Sequence, residues 1–161
     1  MTIDRKSRLR DLLAQELAAQ RDKVAQAQRT SAQGVTHEDA RAEGDKDMRA
    51  TEASYIARGQ AMRVEALEAD YGRVLTMPVR AFAPDAPIAL GALVTVQGER
   101  EQRMFLAPAG GGAALSLAGE SIQVVTPVSP LGRALLGRCT GDAVEVVRAG
   151  TTTELEIVAV E

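Results

Sequence analysis

The segment Val35–Asp47, V-T-H-E-D-A-R-A-E-G-D-K-D, decides how the first half of this chain is organised. It holds five carboxylates against two basic residues, and a charged, Ala- and Leu-rich stretch with helical spacing lies on either side of it. A chain that runs out along one helix and returns along a second places the connecting segment at the end of a rod. The sequence therefore predicts an acidic tip at residues 35–47.

Both flanking stretches carry a narrow apolar seam. The first helix is predicted from Asp4 to about Gln33, with Gly34 as its stop, and at 1.5 Å per residue it would be roughly 40–45 Å long. Its seam is Leu9, Leu13, Leu17 and Val24. The second seam is Ala53, Ile56, Gln60, Val64, Leu67, Tyr71 and Val74. Because neither seam can be buried alone, the pattern predicts an antiparallel coiled-coil hairpin over residues 1–77.

From Pro78 onward the pattern changes to that of a small α+β domain, residues 78–161. Short β-branched or apolar runs predict strands at Leu93–Val96, Met104–Leu106, Ile122–Val125, Val144–Val147 and Leu155–Val160. One short helix is predicted between the third and fourth strands, with Ser129 as its N-cap, Pro130 at its first position and Gly137 just past its end. The glycines at 110–112 lack the residues of a phosphate-binding loop and are interpreted as a hairpin turn.

Composition excludes several classes of function. The net charge of −3 provides no basic field, so no sequence-specific DNA binding is predicted. Cys139 is the single cysteine, which fits a reducing compartment and a role as a small apolar filler. No run approaches the roughly 20 apolar residues of a membrane span, and there is no apolar signal core. We expect no membrane partner and a cytoplasmic location.

Three spaced motifs of the second half carry a family resemblance. The runs S-P-L-G-R-A-L-L-G (129–137) and G-D-A-V-E-V (141–146) resemble the C-terminal signature of bacterial Gre (GreA/GreB-like) transcription elongation factors. The run A-L-G-A-L-V-T-V (89–96) is similar to the strand that opens the same domain. The order of a long acidic-tipped helical hairpin and a small domain also looks like that family along nearly the whole chain.

The resemblance implies a mode of action. The C-terminal domain, with an FKBP-like fold, would dock on core RNA polymerase at the rim of its secondary channel, and the coiled coil would pass down that channel. The protein would be an accessory factor and not itself an enzyme, because the polymerase performs the transcript cleavage. Contact with the nascent RNA 3′ end would be indirect, through the tip.

The resemblance also implies the site residues. Gly44-Asp45 matches the Gre tip, whereas Met48 stands where the family has Glu and Arg49 replaces an Asn. We expect Asp45, Asp47 and Glu43 to act in the polymerase active site. Of these, Asp45 and Asp47 would share the second Mg²⁺ with the polymerase, only in the complex. No cofactor of the protein's own is expected. The altered tip leaves open whether the protein stimulates cleavage or occupies the channel without cleavage.

The same resemblance makes Pro130, Leu131 and Arg133 the candidate docking residues, by analogy alone. Arg29 and Arg41 are either a solvated face or contacts to RNA or to acidic channel walls. His37 lies beside the carboxylates, but it lacks the ligand spacing of a zinc site.

Two other classes of function stay open at this point. A peptidyl-prolyl isomerase would suit an FKBP-like domain, but it needs an aromatic-lined pocket, and residues 78–161 contain only Phe82 and Phe105 as aromatic residues. A plain coiled-coil interaction module would leave the Gre-like motifs unexplained.

Overall fold

The computed structural model describes residues 2–38 and 46–161. Its first two elements are the helices α1 (Thr2–Glu38) and α2 (Lys46–Leu75). Helix α1 continues through Gly34, so the predicted stop at that residue is wrong. A glycine inside a helix costs about 1 kcal/mol relative to alanine, which is too little to end a helix when no proline follows. The two helices therefore enter the predicted tip, residues 35–47, from both sides.

Residues 15–71 form one compact unit, in which α1 and α2 lie side by side. Leu17 and Leu67 are buried in it. Arg21 of α1 bonds Glu68 of α2, with Nη1 and Oε2 2.5 Å apart, and its guanidinium lies 5.5 Å from the centroid of the Tyr71 ring. The predicted helical hairpin is confirmed. Ile56, predicted in the seam, is instead 58% exposed, because a two-helix pair buries only the stripe that faces the partner.

Residues 1–14 and 72–161 form the other compact unit, which contains a six-stranded sheet and one short helix. The elements are β1 (Leu93–Gln97), β2 (Glu101–Leu106), β3 (Ala114–Leu117), β4 (Glu120–Val125), α3 (Pro130–Leu135), β5 (Ala143–Arg148) and β6 (Thr151–Val160). The strand order is β3-β4-β2-β1-β6-β5. Only β2 and β4 pair in parallel; the other neighbours are antiparallel. The predicted α+β class is confirmed.

One predicted turn is wrong, and one strand of the sheet was not predicted. The glycines at 110–112 connect β2 to β3, which are not neighbours, so their interpretation as a hairpin turn is wrong. Two of the hairpin turns lie at Ala118-Gly119 and Ala149-Gly150, where both residues of each pair have positive φ, as type I′ turns require. Strand β3 was missed because its four residues include no β-branched or aromatic side chain.

The sheet is covered on both faces. On one face, Met104 and Val146 pack with Leu131 and Leu135 of α3 in a single apolar cluster. Phe105, which alternates with Met104 along β2, points to the opposite face and is fully buried. The start of α1 lies on that side, since Arg5 bonds Glu120, which shares a face of β4 with Val124, the register partner of Phe105.

The base of α1 therefore belongs to the unit that contains the sheet. The predicted domain boundary between residues 77 and 78 is not tested by this division and stays a prediction. Over their described residues, none of the helices combines the length and apolar character needed to cross a bilayer.

Candidate functional site

The predicted tip carboxylates lie at or beyond the edge of the described structure. Asp47 is the second residue of α2, whereas Glu43 and Asp45 lie outside the described residues, as does Arg41. Arg29 is an exposed residue of α1. Within residues 2–31 and 48–161, whose side chains the structure describes, no three His, Cys, Asp or Glu side chains gather as a potential metal site. The assignment of Asp45, Asp47 and Glu43 to Mg²⁺ chemistry therefore stays a prediction.

Helix α3 is built as the sequence predicts. The Gly132 N–H donates to Ser129 Oγ at 3.0 Å, and the Ser129 hydroxyl donates to the Thr126 carbonyl oxygen at 2.8 Å. Pro130 occupies the first turn, where a missing N–H does no harm. A Cβ at Gly132 would lie 1.9 Å from the Thr126 carbonyl oxygen, so only glycine fits there. These contacts fix the loop that precedes α3 against the helix.

The predicted docking residues separate into exposed and buried side chains. Pro130 and Arg133 are exposed, whereas Leu131 is only 3% exposed and belongs to the apolar cluster under α3. Val128, just before the N-cap, is 74% exposed and adds an apolar side chain next to Pro130. Sequence reasoning missed Val128, although its place between Pro127 and the Ser129-Pro130 cap is that of a residue held in an extended loop. The exposed surface is therefore Val128, Pro130 and Arg133.

The base of α1 is tied to the sheet unit by charged groups. The Lys6 ammonium is buried, donates to the Arg80 carbonyl oxygen and lies 4.6 Å from the centroid of the Phe82 ring. Burial lowers the pKa of Lys6; Glu161 opposes this shift and the Arg80 guanidinium adds to it. The ring and the carbonyl replace part of the hydration that the ammonium gives up.

A second charged contact lies nearby on the sheet. Glu120 of β4 accepts hydrogen bonds from Arg5 of α1 and from Arg103 of β2, the latter with Nη1 and Oε2 2.5 Å apart. Glu101 lies 3.8 Å from the Arg103 guanidinium and adds to the pair. One carboxylate thus joins the first helix to two strands.

The groove beside α3 does not suit a prolyl isomerase. Its lining includes Met104, Leu131, Val146 and Leu155 and no aromatic side chain. Phe105 is buried on the opposite face of the sheet, and Phe82 is covered by Lys6 and by the Arg80 guanidinium, 4.9 Å from its centroid. Such a groove lacks the aromatic wall that holds a proline ring.

The described chain is thus an α+β protein, in which two long helices are followed along the sequence by a six-stranded sheet with one capped helix. Residues 113–161 match the family model described as transcription elongation factor, GreA/GreB, C-terminal. The resemblance to Gre-type factors is confirmed over these residues.

Solved structures give a weaker comparison. The chain is similar to GreA factor homolog 1 (Gfh1) of Thermus thermophilus, with 17% identity and a TM-score of 0.39, over 92% of this chain and 94% of that one. It is also similar to an elongation factor GreA/GreB of Nitrosomonas europaea, with 20% identity and a TM-score of 0.37, over 58% and 78%. Similarity at this level carries no functional argument. No curated protein matches the chain in sequence.

Proposed function

We propose that this protein is a Gre-type accessory factor that binds core RNA polymerase at its secondary channel and promotes cleavage of backtracked RNA. The observation that carries the proposal is the GreA/GreB C-terminal domain at residues 113–161, preceded along the chain by a two-helix hairpin whose connection is rich in carboxylates. The chemistry belongs to the polymerase, so the factor is not itself an enzyme.

The tip would act through oxygen donors. Mg²⁺ prefers oxygen ligands and keeps several waters, so one or two carboxylates plus the RNA phosphate suffice to complete its shell. In this proposal Asp45 and Asp47 supply those carboxylates and Glu43 assists, while the polymerase supplies the remaining ligands. The ion shared in this way helps to orient a water for in-line attack on the phosphodiester.

The exposed surface at Val128, Pro130 and Arg133 supports docking. Its two apolar residues and one cation are fixed by the Ser129 cap and by the tight Gly132–Thr126 approach. A preformed patch binds without a large ordering cost. It suits a transient partner held by a few anchoring side chains.

A second candidate function has a specific observation in its favour. Met48, which stands where the Gre tip has Glu, lies in α2 and is 78% exposed, so no carboxylate occupies that position. A factor of this kind would occupy the channel and regulate or inhibit the polymerase without cleavage.

The deciding experiment uses a backtracked elongation complex with 3′-labelled RNA and Mg²⁺. Wild type, the Asp45→Asn/Asp47→Asn variant and the control Glu52→Gln, an exposed carboxylate farther along α2, are each added at saturating concentration. We expect release of short 3′ fragments with wild type and the control, and its loss in the double variant, which still binds. Binding of wild type without fragment release would establish the regulatory alternative, and no binding would refute both.

A further inference from the structure

An open groove crosses the face of the sheet on which α3 packs. It has a volume of about 440 Å³, and Arg100, Met104, Leu131, Val146, Arg148 and Leu155 are among the residues that line it. Met104, Val146 and Leu155 come from three strands, and all three are buried with Leu131 in the apolar cluster. We call this feature the arginine groove. Its floor is apolar, and its rim carries Arg100 and Arg148.

The two rim arginines differ from Arg103 of the same unit. Arg100 and Arg148 are exposed, and within the described residues neither makes an ion pair. Arg103, by contrast, bonds Glu120 and lies close to Glu101. Glu99 is the one acidic residue of the lining, against two arginines, so the groove carries a net positive charge. Its cations therefore remain available to an anionic partner.

The shape of the groove favours a chain over a compact ion. A second cleft of about 620 Å³ shares Arg100, Gln102 and Arg148 with the first and extends across the sheet to Ser121 and Gln123 of β4. The amide side chains of Gln102 and Gln123 can form hydrogen bonds with the backbone of a peptide. A small anion has no backbone groups that would use them. A single phosphate or carboxylate would fill only a small part of this length.

We propose that the arginine groove receives an acidic segment of a partner protein, with carboxylates on Arg100 and Arg148. Guanidinium groups bind carboxylates with paired hydrogen bonds, which fixes the register of the segment. Under the proposed function the partner is the polymerase, and in that respect the inference rests on it. The groove itself can be tested separately.

The first arm of the test uses the full chain, labelled with ¹⁵N, and a blocked hexapeptide, acetyl-Glu-Leu-Glu-Glu-Leu-Glu-amide. We expect the peptide to shift the amide resonances of Arg100, Met104 and Arg148 with a Kd of roughly millimolar order, as a short flexible ligand should. The matched peptide with Gln in place of Glu should bind at least about tenfold more weakly, since it lacks the charge-assisted bonds.

Two variants give the control. Arg100→Glu/Arg148→Glu should abolish the shifts, whereas Arg138→Glu, an exposed arginine that does not line the groove, should leave them unchanged. Equal binding of both peptides, or shifts confined to residues outside the groove, would overturn the proposal. Equal shifts with inorganic phosphate at the same concentration would overturn it as well, because the site would then take a compact anion.

The second arm measures binding of the same proteins to core RNA polymerase. We expect the double variant to bind about tenfold more weakly than wild type and the Arg138→Glu control to bind equally, as for charges at the rim of an interface. If wild type binds and the double variant binds equally, the polymerase is not the partner of the groove. If wild type does not bind, the proposed function fails, and the peptide arm alone decides the groove.

Discussion

The Lys6 ammonium lies 4.6 Å from the centroid of the Phe82 ring and donates to the carbonyl oxygen of Arg80. It is fully buried, so a charge near the start of the chain is held inside the unit that contains the sheet. A buried ammonium is tolerated only when other groups replace its hydration. Here the carbonyl and the ring face do so, and they connect α1 to the segment that precedes β1.

Truncation of Lys6 should weaken the fold. In Lys6→Ala the Arg80 carbonyl loses its donor and Phe82 loses both the cation and the aliphatic stem that covers it. We expect the free energy of unfolding to fall by about 1–3 kcal/mol, measured by urea denaturation. Lys23→Ala, at an exposed position of α1, is the control and should stay within about 0.5 kcal/mol of wild type. An equal loss in both variants would contradict this role.

The lowered pKa of Lys6 predicts a pH dependence of known sign. Between the lowered pKa and the ordinary value of about 10.4, the unfolded chain binds more protons at this residue than the folded chain. Stability from this group therefore rises with pH across that window and is lost as the pH falls through the folded pKa. We expect wild type to gain stability relative to Lys6→Met as the pH is raised toward 10.4. A difference independent of pH would refute this prediction.

Two glycine substitutions should have opposite effects. Gly132→Ala would force a Cβ to within 1.9 Å of the Thr126 carbonyl oxygen, so the loop before α3 must move, and we expect a loss of about 2 kcal/mol or more. Gly59→Ala lies in the interior of α2, where an added Cβ meets nothing within 4 Å. That change should raise stability by about 0.5–1 kcal/mol through helix propensity. Thermal unfolding of both variants is the check, and a stabilised Gly132→Ala would be the contrary result.

The departure of the tip from the Gre pattern leads to a prediction about activity. Met48→Glu places a carboxylate at an exposed position where the family carries one. If the lack of a carboxylate at this position limits cleavage in the wild type, the variant should release 3′ fragments at least about tenfold faster. This corresponds to a lowering of the activation barrier by about 1.4 kcal/mol. Met48→Gln, of the same shape and without charge, is the control. A rise with both variants, or with neither, would show that the charge at this position is not limiting.

Local patterns predicted the helices and most of the strands because each carries its own signal. The Ser129 cap, Pro130 and Gly137 surround α3 as expected, since capping chemistry is a property of neighbouring residues. Strand β3 escaped notice because its place in the sheet comes from pairing with β4 and not from its own residues. Gly34 shows the reverse case, in which a stop signal was too weak to end α1.

The candidate surfaces were predicted less well because they depend on contacts distant in sequence. Leu131 was predicted as a docking residue from its motif, yet its side chain is buried in the apolar cluster. That burial depends on strands that come both before and after α3 in the sequence. Arg100 and Arg148 line the same groove although they are 48 positions apart in the sequence. No periodicity in the sequence indicates that these two side chains line the same groove. The burial of Lys6 was equally invisible, since a lysine within a charged helix is typical of an exposed face.

The bond from Arg5 to Glu120 joins residues 115 positions apart, and the first fourteen residues share one compact unit with the last ninety. During synthesis the beginning of α1 leaves the ribosome early, but its partners in the sheet are translated only near the end. The hairpin can form early from local contacts. The complete sheet can form only after nearly all of its strands have been synthesised, because its contacts join residues distant in sequence. A nascent chain interrupted before β4 would therefore leave Arg5 without its Glu120 partner, and the start of α1 without the later strands of its compact unit.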